Sequence, residues 1–207
     1  MSTNVLPGTG SRSALLLDVV VKLGTAALLA LALTAPNLPQ FQGTAFVGRA
    51  FAYPIALAVL PAIWVLLWRR RFPFPVLADI LLGLPFLIDM AGTALNLYES
   101  TWWWADANHL VSWALHTAAI GFLLRHSGLK PWARFGVSLG WAATTAILWE
   151  LGQYLAIAAS TGAPNTSSLD TLVDLALALL GGTIAGAAVA WWRPHGEAVP
   201  AGPGWSR

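Results

Sequence analysis

Six stretches of largely apolar sequence recur along this chain, at about 13–34, 45–68, 76–97, 107–124, 136–159 and 169–192. Each is near the ~20 residues that a helix needs to cross the hydrocarbon core of a bilayer. No other feature constrains the fold as much. It predicts an all-α, polytopic membrane helix bundle of about six transmembrane helices. Composition agrees: of 207 residues, 57% are hydrophobic and 10% charged, against about 25% charged in a soluble domain. Mean hydropathy is +0.66. Most of the surface must therefore face something apolar, and the bilayer is the first partner expected.

Pro and Gly punctuate the junctions, in "TAPNLPQFQG", "RRRFPFP", "SGLKPW" and "STGAPNTSS". There is no repeat and no second domain. Residues 1–12 read as a cytoplasmic tail, 13–192 as the transmembrane domain, and the Pro/Gly-rich 193–207 as a loose cytoplasmic tail. Residues 1–35 also have a signal-segment aspect in "GTAALLALALTA", although Asp18 and the long lead-in fit such a segment poorly.

Lys and Arg set the orientation. Arg12, Arg69, Arg70, Arg71, Arg125, Lys130, Arg134, Arg193 and Arg207 fall on one side of a six-span chain, and the loops of the other side carry none. The positive-inside rule then places both termini in the cytoplasm of a bacterial cell, the chain being a multi-pass protein of the cytoplasmic membrane. Trp64, Trp68, Trp191 and Trp192 mark the inner interface, and Trp102, Trp103 and Trp104 the outer one. The net charge of +2 is thus a matter of topology, and nucleic acid is not an expected partner. The chain has no cysteine, which excludes disulfides, thiolate catalysis and Cys-type zinc sites. His, Asp and Glu remain as metal ligands.

Against this background the polar residues inside the spans stand out. Asp89 and Asn96 lie seven residues apart on the third span, with Thr93 between them, and so share a helix face. On the fourth, Asp106, His109, Trp113 and His116 form one stripe. Glu150 and Gln153 are neighbours on the fifth, Asp170 and Asp174 on the sixth. A rise of about 1.5 Å per residue puts Asp89, His116 and Glu150 roughly 12–14 Å below the outer surface. Asp174 and Gln153 come at about 8–9 Å, with His109, Asp106 and Asp170 near the rim. An isolated charge at mid-bilayer costs about 2.5–3.5 kcal/mol, so these groups are expected to face one another across an outward-opening acidic pocket. Arg49 is the one base expected at that level, and Lys22 pairs with Asp18 at i, i+4. The acids still outnumber the bases, which calls for protonated carboxylates or a bound cation.

Plainer roles account for part of the pattern. Asp170 follows Ser167 and Ser168 and suits a helix cap. Asp106 suits a first-turn acid. Glu150 and Gln153 suit interhelical hydrogen bonds. Gly182 and Gly186 read as close helix packing. The Asn165–Ser167 triplet matches a glycosylation acceptor, a weak motif by itself.

The order "LIDMAGTALNLYES", "WWWADANHLVSWALH", "WELGQYLA", "SSLDTLVDLALALLGGTIAG" resembles the VanZ-like and YjdF-like families of bacterial multi-pass membrane proteins, over about residues 80–190. The resemblance singles out Asp89, Asp106, His109, Glu150, Gln153, Asp170 and Asp174. Asp174 stands where the VanZ pattern has Asn, and Ala107 where Lys is common.

Three functions fit such a pocket. One is binding of a lipid-linked or amphiphilic envelope molecule, its head meeting Asp89, Asn96, Asp106, His109, His116, Glu150, Gln153, Asp170, Asp174 and Arg49. Another is a hydrolase or transferase using a divalent metal, with ligands drawn from Asp106, His109, His116 and Glu150. His109 and His116 lie about 10 Å apart along their helix and cannot share one ion. The last is proton- or cation-coupled transport, for which the inner half offers only Asp18, Lys22 and Asp79 as polar steps.

Overall fold

The computed structural model describes residues 12–42, 46–161 and 168–192. Among them every regular element is a helix. Helix α1 (Arg12–Thr34) stops just before Pro36, since the residue preceding a proline is disfavoured in helical conformation. Helix α2 (Phe46–Ile63) carries Pro54 and Pro61, and beyond the second it widens into a π turn at Trp64–Trp68. Arg69 N–H closes that turn on Trp64 O at 2.7 Å. Helix α3 (Val76–Ala94) ends where Asn96 takes a left-handed conformation, φ 58°, which Asn tolerates better than most residues. A single turn, α4 (Leu97–Ser100), leads to α5 (Trp104–Leu123). Helix α6 (Pro131–Thr161) begins on a proline, whose missing N–H costs nothing at the first helical position. Helix α7 (Ser168–Trp191) completes the bundle.

Four segments are long and apolar enough to cross a membrane: Arg12–Thr34, Gly48–Trp68, Val76–Ala94 and Leu169–Trp191. Six were expected. Helices α5 and α6 have the length, 20 and 31 residues, but Asp106, Asn108, His109 and His116 dilute the one and Arg134, Glu150 and Gln153 the other. The bundle's outside is apolar all the same: Leu16, Phe51, Leu66, Ile147 and Leu172 are all exposed. An aqueous surface would not be built this way.

Helix α5 is the hub, packed on α3, α6 and α7, while α1 covers the far side of α3. Its closest approach is to α7. A Cβ on Gly181 would run into the carbonyl oxygen of Leu110, and on Gly182 it would stand 3.0 Å from Thr117 Oγ1. The small-residue packing expected for Gly182 and Gly186 is present, with Gly181 the tightest position of the three. At one end of the bundle, here the upper end, Gln40 reaches Ala94 O from the α1–α2 connection. At the lower end, Arg134 Nη2 donates to Ala190 O at 2.6 Å. The Lys22–Asp18 pair is present at 2.7 Å, and Asp79 of α3 joins it with a second contact to Lys22 Nζ. That third member ties α1 to α3 in the lower half.

Candidate functional site

The polar residues of the upper half form two separate groups rather than one column. The first is centred on Asp89, buried on α3. Its two carboxylate oxygens accept from different phenols: Tyr53 Oη to Oδ2 at 2.5 Å and Tyr98 Oη to Oδ1 at 2.6 Å. Arg49 Nη1 lies 3.5 Å from Oδ2 and donates to Thr93 Oγ1 at 3.3 Å. Asn108 Nδ2 donates in turn to Tyr98 Oη at 2.7 Å, and Asn108 Oδ1 accepts from Ser112 Oγ at 3.1 Å. Asp89 and Arg49 therefore neutralise each other inside a satisfied network. That network pins α4 and the start of α5 onto α2 and α3. Burial, and then the negative charge of Asp89, hold the Tyr98 phenol well above its ordinary range.

The second group joins α5, α6 and α7. His109 Nε2 stands 3.5 Å from Glu150 Oε1, and His109 Nδ1 stands 3.2 Å from Asp174 Oδ1. Nδ1 is also 3.2 Å from the Ala105 carbonyl one turn back. One donor atom from each of the three side chains lies within 4.8 Å of the other two. Their side chains are 16%, 13% and 20% exposed, so the group is recessed but reachable. Its floor is apolar: Trp113, Ala146 and Ala178 pack together with Trp149 and Leu175. Each of the first three lies four residues from a member of the triad, on the deeper side. The polar group thus rests on a dry layer one helical turn below it.

The remaining candidates lie elsewhere. His116 is packed between Phe86 and Trp113, ring centroids 5.9 and 5.2 Å away, and its buried Nδ1 has no hydrogen-bond partner among the described residues. Asp106 and Asp170 are exposed. Asn96 is also exposed and off the α3 face, because the helix ends at Ala94 before reaching it. Gln153 is half-buried one turn above Glu150. The Asn165–Ser167 triplet and the Ser167 cap lie outside the described residues.

The shared depth assigned to Asp89, His116 and Glu150 does not bring them together, and the reason is geometric. A depth measured from a helix end holds only where that end lies at the membrane surface. Helix α6 has 31 residues, about 46 Å at 1.5 Å each, and so outruns a ~30 Å core. Glu150 consequently meets His109, about two turns above His116. Sequence reasoning also missed Tyr53, Tyr98 and Asn108. The signal for the first two was available: the chain has only three tyrosines, and two of them fall beside expected polar positions, Arg49 and Asn96.

A family model described as "Predicted membrane protein (DUF2238)" matches residues 19–195. The chain belongs to this family. The match begins within α1 and runs past the end of α7, so both polar groups lie within the part matched to the family. Searches of curated proteins and of solved structures find no match to the chain.

Proposed function

We propose that this DUF2238 protein binds an amphiphile of the cell envelope at His109, Glu150 and Asp174, entering from the non-cytoplasmic leaflet of a bacterial cytoplasmic membrane. In this reading all six long helices cross the bilayer. The lower end, with Arg69, Arg70, Arg71, Arg125, Lys130 and Arg134, faces the cytoplasm together with both termini. Helices α5 and α6 cross because their polar side chains turn toward partners inside the bundle, while Val111, Ile147, Leu148, Leu151 and Leu155 present an exposed apolar face.

One observation carries the reading. A recessed His–Glu–Asp group has two carboxylates and, among the described residues, no Lys or Arg in its ion pairs, and it sits at the edge of helices whose outer surfaces are apolar. A molecule reaching it through the bilayer needs an apolar body. Its head must also bring positive charge, of its own or from an ion shared with the protein, because two recessed carboxylates repel a bare anion. Exposed Leu169 and Leu172 flank the approach along α7, and exposed Trp102 and Trp103 mark the interface on the α4–α5 side. The motif resemblance to VanZ-like and YjdF-like membrane proteins points to the same residues.

The test is extraction of the protein in native lipid discs, followed by mass spectrometry of the co-purifying lipids. The wild-type protein should retain a class of envelope amphiphile that a Glu150→Gln/Asp174→Asn variant of equal helicity has lost. Identical lipid complements would refute the proposal, as would unchanged sensitivity of cells to envelope-directed drugs.

A further inference from the structure

We infer that His109, Glu150 and Asp174 form a divalent-metal site, taking Zn²⁺ or Mn²⁺. The inference uses the same side chains as the amphiphile reading but does not rest on it. An ion would bind here with or without a lipid.

The donor set comes first. One imidazole nitrogen and two carboxylate oxygens suit borderline divalent ions. They converge from three different helices to within 4.8 Å. Donors around an ion with ~2 Å bonds stand about 3–3.5 Å apart, so a side-chain adjustment of about 1–2 Å closes the set. Three protein ligands also leave a coordination position open, which is the pattern of sites that hold water or a ligand head.

The imidazole is already presented in the required form. A metal-bound His characteristically donates its second ring N–H to a carbonyl or carboxylate, which fixes the tautomer. His109 Nδ1 lies 3.2 Å from Ala105 O, which takes its proton and so frees Asp174 Oδ1, also 3.2 Å from Nδ1, to swing toward an ion on the Nε2 side. With the proton held there, Nε2 carries its lone pair on the side where Glu150 Oε1 stands, 3.5 Å away.

Charge completes the argument. With His109 neutral the group carries two negative charges, and even an imidazolium leaves one. Arg49 is committed to Asp89 and Thr93 in the neighbouring network. Lys22 lies at the lower end between Asp18 and Asp79. Exposed Asp106 and Asp170 add further negative charge to the same end. A divalent cation cancels what no Lys or Arg does in the ion pairs of the described residues, above an apolar floor of Trp113, Ala146 and Ala178 where such compensation is worth most. This set replaces the one anticipated from sequence: Asp106 is exposed, and His116 is enclosed by Phe86 and Trp113.

The experiment uses the full-length protein, delipidated in detergent, so that its outcome is independent of any bound amphiphile. After treatment with chelator, the protein is titrated with Zn²⁺ and with Mn²⁺ and the bound metal is counted. One ion per chain is expected. His109→Gln, Glu150→Gln and Asp174→Asn should each weaken binding at least about tenfold, and Glu99→Gln, an exposed loop acid, should leave it unchanged. Circular dichroism and gel filtration establish that the variants are folded. Should the variants fail to fold, electron spin echo spectroscopy of Mn²⁺ on the wild-type protein takes their place, where a single histidine nitrogen coupling is expected. A folded wild-type protein that takes up no stoichiometric metal overturns the inference. So does a bound ion without nitrogen coupling, or undiminished binding in the folded triad variants; each of these means that His109 serves only as an ion-pair partner of the two acids.

Discussion

Replacing Gly181 by Ala should destabilise the bundle, and the structure says by how much relative to a matched control. A Cβ at Gly181 would overlap the carbonyl oxygen of Leu110 and stand 3.0 Å from its carbonyl carbon and 3.3 Å from Ala114 N. All three are backbone atoms of α5, so no rotamer change relieves the contact and the two helices must separate. Overpacking of this kind costs about 1–3 kcal/mol. Against it, Ala in a helix interior is worth about 0.5–1 kcal/mol over Gly. Gly140→Ala isolates the difference: Gly140 lies on α6, is exposed, and a Cβ there meets nothing within 4 Å. Both substitutions gain the same propensity, so the gap between them is the overpacking cost itself, about 1–3 kcal/mol, with Gly140→Ala equal to or above wild type. The assay is reversible unfolding in mixed micelles, followed by tryptophan emission, with all three proteins under identical conditions. Gly181→Ala matching or exceeding Gly140→Ala in stability would refute the close α5–α7 approach.

Two further outcomes follow from the Asp89 network. Asp89→Asn leaves the Arg49 guanidinium without its counter-charge and should cost about 3–5 kcal/mol, whereas Asp89→Asn combined with Arg49→Met removes the unpaired charge, keeps an acceptor for a phenol and should recover part of the loss; a double variant no better than the single one would contradict the pairing. Tyr98 should titrate late. Its phenol is held above the ordinary value of 10.0, so at about pH 11 a Tyr98→Phe variant and the wild type should show the same phenolate absorbance when folded and differ by one phenolate when denatured. The folded state holds that proton more tightly than the unfolded chain. Its contribution to stability is therefore complete below pH 10 and falls as pH rises beyond it, which alkaline unfolding of the two proteins would measure.

The sequence made the helical elements legible because hydrocarbon imposes its demands locally: length, apolarity and Pro or Gly at the breaks are all readable along the chain. Span boundaries came within a few residues for α1 and α7. They failed where a single backbone conformation decides, as at Asn96. The members of the candidate site were legible too, for the cost of burying a charge marks each one separately. What periodicity and depth could not give was their grouping. That depends on which helices adjoin, and here α5 lies between α3 on one side and α6 and α7 on the other. Counting depth from each helix end made His116 look like the partner of Glu150, an error set by the overhang of α6.

The same placement of α5 explains why the two polar groups differ in kind. Asn108 and His109 are consecutive, and one residue of a helix turns the side-chain direction by about 100°. Asn108 therefore meets Tyr98 and the Asp89 network on the α3 side, while His109 meets Glu150 and Asp174 on the α6 and α7 side. On the first side every strong donor and acceptor of Asp89 is matched and Arg49 cancels its charge. On the second side, two acids share one imidazole. Trp149 packs against both apolar layers, touching the Tyr53–Met90 cluster and the Trp113–Ala146–Ala178 cluster, and so separates the neutral network from the charged one. The first group holds the upper loop and the start of α5 in position. The second brings two acids and one imidazole together from three helices, one residue away on α5, and it is on this imbalance that the proposed binding site rests.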